Sequence, residues 1–169
     1  MYLTDPECRF VRTNQLADPQ ALVSEFVRRT DEGQFVSRWE GVQDHPGPEW
    51  IVWLESAVTC PGRLLLQPTP PQIAPVMIIG RYSVGAARLS GDRATVPVQY
   101  HELGRLEFGT FSAARGPHDI DVVVRNTPWG WRIDDPATFQ RISVDAALSR
   151  IHLSTATQQQ LEEARKAAR

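Results

Sequence analysis

The chain has 169 residues, long enough to bury one ordinary core without staples. Its 18 Lys and Arg stand against 20 Asp and Glu, a net charge of −2, which excludes the basic footprint of a nucleic-acid binder. No apolar run approaches the roughly 20 residues of a membrane span, so neither nucleic acid nor a bilayer is an expected partner.

The opening residues, 1–17, form an N-terminal arm with no basic stretch leading into an apolar one, so no leader is read there. Cys8 and Cys60 share no metal spacing. They read as two free thiols or as a disulfide tying the arm to the end of a helix, a closure worth about 4 kcal/mol on the chain-entropy model. The expected location follows from that choice: cytoplasmic if Met1 is the native start, periplasmic or secreted if a leader was removed and the cysteines are joined.

Asp18-Pro19 is a helix start, with Asp as N-cap and Pro at the first helical position. Leu22, Val23, Phe26 and Val27 form the apolar stripe, Gly33 ends it, and Phe35, Val36 and Trp39 suit a short second helix. After a His45–Pro48 linker, Pro48 opens a helix with Trp50, Ile51, Trp53, Leu54, Ala57 and Val58 on one face, stopped by Pro61-Gly62. Leu64 to Pro75 is proline-rich and extended.

Val76 to Leu89 is β-branched at its start and carries Gly80 and Gly85, which suggest a bend or bulge within a long strand. Ser90-Gly91-Asp92 is a hairpin turn. Arg93 to Glu102 alternates, with Ala94, Val96, Val98 and Tyr100 on one face and Thr95, Gln99 and His101 on the other. Pro97 cannot donate to a ladder, so it predicts an edge strand or a bulge. Leu103 to Phe111 suits a further strand, Gly116-Pro117 a loop, and Ile120 to Arg125 another alternating strand. Asn126 to Gly130 is a turn, and Trp131 to Asp134 returns as a strand. Ser143 caps a short helix bearing Val144, Ala147, Leu148 and Ile151. The tail, 152–169, is helix-forming but thinly apolar, and is expected to fray or to await a partner.

Helices followed by antiparallel strands predict an α+β fold, with N-terminal helices packed on a strongly curved antiparallel sheet of four to six strands and short C-terminal helices. This order resembles the NTF2-like (cystatin-like cone) superfamily, in a SnoaL-like or uncharacterised bacterial binding branch. The resemblance covers roughly 18–151, and Gly130-Trp131-Arg132-Ile133-Asp134 is its most recognisable piece. It implies a pocket in the concavity of the sheet. In enzymes of the superfamily that pocket commonly holds an Asp or His base and often a Tyr.

The residues expected to face inward include Tyr82, Val96, Val98, Tyr100, Ile120, Val122, Val124, Trp131 and Ile133, with no carboxylate or imidazole among them. A bulge at Pro97 would reverse parity and bring His101 inward, which makes His101 the one weak catalytic candidate. Tyr82, Tyr100, Trp131 and Trp53 are the candidate ligand-binding residues, suited to a flat, mostly apolar molecule. Trp129 at a turn tip could anchor a partner or a second copy. Elsewhere, His101-Glu102-Leu103-Gly104-Arg105 lacks the second His of a zinc-protease helix, and Gly80 to Gly85 lacks the Lys of a P-loop. No metal or other cofactor is implied. The expected function is a non-catalytic domain binding a small apolar ligand or a protein partner, with a homodimer formed through the outer sheet face. The alternatives are a small enzyme of the SnoaL or ketosteroid-isomerase type and a structural component of a cell-envelope assembly.

Overall fold

The computed structural model describes residues 18–34, 49–59, 75–107, 109–134 and 141–168. Cys8 and Cys60, the short helix expected through Phe35, Val36 and Trp39, the His45–Pro48 linker and nearly all of the Leu64–Pro75 connection lie outside them.

Helix α1 (Pro19–Asp31) begins where the Asp18 carboxylate accepts from the Gln20 N–H at 3.0 Å. It ends before Gly33, whose φ of +74° is the left-handed conformation that glycine tolerates best. Its stripe of Leu22, Val23, Phe26 and Val27 is fully buried. Helix α2 (Glu49–Ala57) buries Leu54 and Ala57, and Val58 just beyond it bridges to Ile133.

Six strands follow: β1 (Val76–Val84), β2 (Arg88–Ser90), β3 (Arg93–Glu107), β4 (Thr110–Thr127), β5 (Gly130–Ile133) and β6 (Arg141–Ser143). They form one strongly curled sheet, a half-barrel of order β5-β4-β3-β1-β6 with β2 also beside β3. Helices α3 (Val144–Arg150) and α4 (Thr155–Ala167) complete an α+β fold. No helix among the described residues is long and apolar enough to cross a membrane.

The sheet departs from expectation in three ways. It is mixed rather than antiparallel, because β6 runs parallel to β1 with Ile142 opposite Ile78. Three residues, Arg141 to Ser143, are too few to show alternation, so this strand leaves no trace in the sequence. Second, Gly116-Pro117 is no loop but the middle of β4, where Pro117 pairs with His101 and Gly116 with Glu102. Third, Pro97 lies in β3, which has neighbours on both sides, and the β3–β4 register runs through it unbroken.

The reason for the last two is one of direction. Pro97 accepts through its carbonyl from the Gly85 N–H at 2.8 Å, so its nitrogen also faces β1, where the strand breaks at Gly85. A Cβ on Gly85 would sit 2.7 Å from the Pro97 ring, so the break and the proline fit each other. Alternation along the ladder then turns the Pro117 nitrogen away from β3, toward the outer edge of β4. Among the described residues that edge has no sheet neighbour from Thr110 to Val122, since β5 pairs only with Val124 to Thr127.

The curl is concentrated in a row of bulges. Gly80 on β1, Leu103 on β3 and Ala114–Arg115 on β4 have no regular cross-strand partner and lie side by side across the sheet. Leu103 packs over Gly80, where a Cβ would approach its Cδ2 to 3.1 Å. The row divides two cores. The first holds α1, α2 and the inward faces of Ala94, Val96, Val98, Tyr100, Val122, Val124 and Ile133. The second holds Val76, Leu103, Leu106, Phe111 and Ile142 under α3 and α4. Adjacent residues Ile78 and Ile79 go to different cores. The C-terminal segment, expected to fray, docks instead: Leu161 is fully buried, and Thr157 Oγ1 donates to the Gly109 carbonyl at 2.8 Å. Arg165 also reaches Asp145 of α3 at 2.9 Å.

Candidate functional site

The alternation on β1 and β3 puts Tyr82 and Tyr100 directly opposite each other on the face toward α1. Their ring centroids are 6.5 Å apart with planes tilted by 50°. Tyr100 is buried within the first core, whereas Tyr82 is half-buried at its border. The Arg141 guanidinium stands 4.9 Å over the Tyr100 ring and 3.8 Å from the Glu102 carboxylate. The two tyrosines therefore form a pair with a cation at one end.

The two candidate tryptophans lie elsewhere. Trp53 is held by α1, with its ring centroid 6.2 Å from that of Phe26 and the Arg29 guanidinium 4.7 Å over it. Trp131, half-buried, faces Asn126 across the β4–β5 ladder. With β3 and β4 between β5 and β1, and with Arg125 level with Arg93 while Tyr82 is level with Tyr100, it stands apart from Tyr82 both across the sheet and along it. His101 is next to Tyr100 and points to the other face of the sheet, because the bulge at Pro97 that would turn it inward is absent. It lines a groove on that outer face with Arg81 and Arg115.

Two charged side chains, Asp31 and Arg132, are invisible to a reading of strand faces alone. Asp31, in the last turn of α1, has its carboxyl pushed up to about 6 by burial, with the negative charges of Glu32 and Asp145 adding to the effect. The Tyr82 phenol is also raised, chiefly by burial and then by the Asp31 charge, with Arg28 opposing. Asp31 and Tyr82 thus feel each other across the helix–sheet interface. The trace of this in the sequence is a spacing of four: Val23, Val27 and Asp31 fall on one side of the helix.

Arg132 is the second. It is 1% exposed and donates through Nη1 to the Glu55 carbonyl at 2.7 Å and through Nη2 to the Trp129 carbonyl at 3.3 Å. A guanidinium here satisfies the last turn of α2, where partial negative charge collects. Alternation places it opposite Trp131 and Ile133, on a face expected to be wet but covered by α2.

Chemically, a carboxyl raised by burial to about 6 can take or give a proton, and an apolar face bearing phenols can hold a flat molecule. Among the described residues no group of His, Cys, Asp or Glu is arranged to hold a metal ion. No family model, curated protein or solved structure matches this chain.

Proposed function

We propose that the protein is a cone-type, NTF2-like binding domain that takes a small, flat, mostly apolar ligand against the inner face of its curled sheet, beside Tyr82 and Tyr100. The supporting observation is the graded burial of that face. Ala94, Val96, Val98 and Tyr100 on β3 are buried, while Tyr82, Val84 and Ala87 on one side of that row and Ile120 on the other stay half-buried. Tyr82, Val84 and Ala87 make an apolar margin with a phenol on it. Titration with a neutral flat probe such as 2-naphthol, followed by tryptophan fluorescence and native mass spectrometry, tests the reading. One bound probe per chain, with affinity lowered at least fivefold by Tyr82→Ala, is the expected result. Stoichiometric binding that ignores Tyr82→Ala, or none at all, overturns it.

Asp31 favours a second reading, an enzyme of the isomerase type in which this carboxyl moves a proton and the tyrosines stabilise the developing oxyanion. The two readings part on one substitution. Asp31→Asn leaves probe affinity intact in a silent binder. In an enzyme it abolishes exchange of an acidic C–H of a bound ketone with deuterated solvent, measured by NMR.

A further inference from the structure

The row of bulges has an outer side as well as an inner one. There Gly80, Arg81, His101, Glu102, Leu103 and Arg115 border an open groove of about 210 Å³. Arg81 and His101 are cross-strand partners on β1 and β3, so their side chains emerge side by side, about 5 Å apart at Cβ. Arg115 joins them from the bulge on β4. Three adjacent strands thus deliver two guanidiniums and an imidazole to one hollow.

The charge in that hollow is unbalanced. Neither Arg81 nor Arg115 has an ion pair among the described residues, and both are exposed. The Glu102 side chain shares the inner face with its cross-strand partner Ile79 and is engaged there by Arg141 at 3.8 Å. Guanidinium forks and an imidazole are the donors that bind a tetrahedral oxyanion in two or more directions at once. The volume narrows the ligand. Pockets for drug-sized molecules run from about 300 Å³ upward, so the groove takes a phosphate head and a small substituent rather than a nucleotide.

We propose that this outer groove is a binding site for a small, soluble phosphate monoester, held by Arg81, Arg115 and His101. The site is independent of the inner face, on the opposite side of the sheet from Tyr100.

The test is NMR titration of histidine-labelled protein at low ionic strength with phenyl phosphate, inorganic phosphate and benzyl alcohol. Phenyl phosphate is expected to shift the His101 ring signals saturably and at least threefold more tightly than inorganic phosphate, leaving the signals of the other three histidines still. Benzyl alcohol is expected to do nothing. Arg81→Ala and Arg115→Ala each weaken binding at least fivefold, and the double variant removes it; both side chains are exposed, and unchanged circular dichroism verifies the fold. Arg81→Gln and Arg115→Gln serve if an alanine variant misfolds. Equal shifts with benzyl alcohol, equal responses at all four histidines, or binding that survives the double variant would overturn the site. Inorganic phosphate binding as tightly as the ester would overturn the assignment of the ligand.

Discussion

Asp31 and Gly104 show how much depends on single positions. The Asp31 carboxyl has an ordinary value of 3.8 and is raised to about 6 in the folded chain. Between those values the folded state holds the proton more tightly than the unfolded one, so stability falls as pH rises from about 4 to about 6. The full shift corresponds to about 3 kcal/mol, reduced to roughly 1–2 kcal/mol by solvent on the open side of the group. Glu25 works in the opposite sense, since its hydrogen bond to Arg28 holds its carboxyl below the usual range. Asp31→Asn therefore stabilises the protein at pH 7 and leaves it unchanged at pH 3.5, as urea melts at the two pH values will show. Gly104 lies where a Cβ would run into the Ser112 carbonyl oxygen and come 2.7 Å from the Phe111 ring. Backbone cannot retreat as a side chain can, so Gly104→Ala costs about 3 kcal/mol or more, by the mechanism of overpacking. Gly116→Ala, with nothing within 4 Å, changes stability by less than about 0.5 kcal/mol in the same melts.

At the scale of elements, Arg132 joins two that the chain separates widely, the last turn of α2 and the β4–β5 turn. Replacing it with Met keeps the volume but strips a buried carbonyl of its donor. Arg132→Met is expected to lower stability by roughly 1.5–3 kcal/mol, and Arg132→Lys by less, on chemical denaturation. The sequence made some elements legible and hid others, for physical reasons. Alternation along Ala94 to Tyr100 and Ile120 to Val124 marks the buried face, because one side of each strand is dry and the other wet. The capping chemistry of Asp18, Gly33 and Ser143 marks helix ends, because it is local. Strand β6 and the docked α4 were hidden because their stability comes from partners far away in the chain: Ile142 from Ile78, and Leu161 from the second core. Pro97 and Pro117 misled because a proline reports which direction lacks a donor, and only the completed sheet shows what lies in that direction. Asp31 escaped notice because a strand-face argument leaves out what a helix lowers onto the sheet.

For the molecule as a whole, two cores share one strand. Ile78 and Ile79 are covalent neighbours anchored on opposite sides of β1, so neither core can lose its packing while the other keeps β1 in place. Unfolding is expected to be a single cooperative step. Trp53 and Trp131 report on the first core and α4 belongs to the second, which makes the test direct. Leu161→Ala, at a cost of about 2–4 kcal/mol, should lower the fluorescence and circular-dichroism midpoints by the same amount. Separate transitions would show that the two halves melt on their own.

The margin of β4, without a sheet neighbour from Thr110 to Val122 among the described residues, bears on aggregation. A run of unpaired backbone there would invite neighbouring molecules to add themselves strand by strand and grow without limit. Pro117 offers no donor outward, the kink at Ala114–Arg115 spoils the spacing, and the charges of Arg115 and Asp119 must be stripped of water by any newcomer. A stacked fibre would meet a fence at that border.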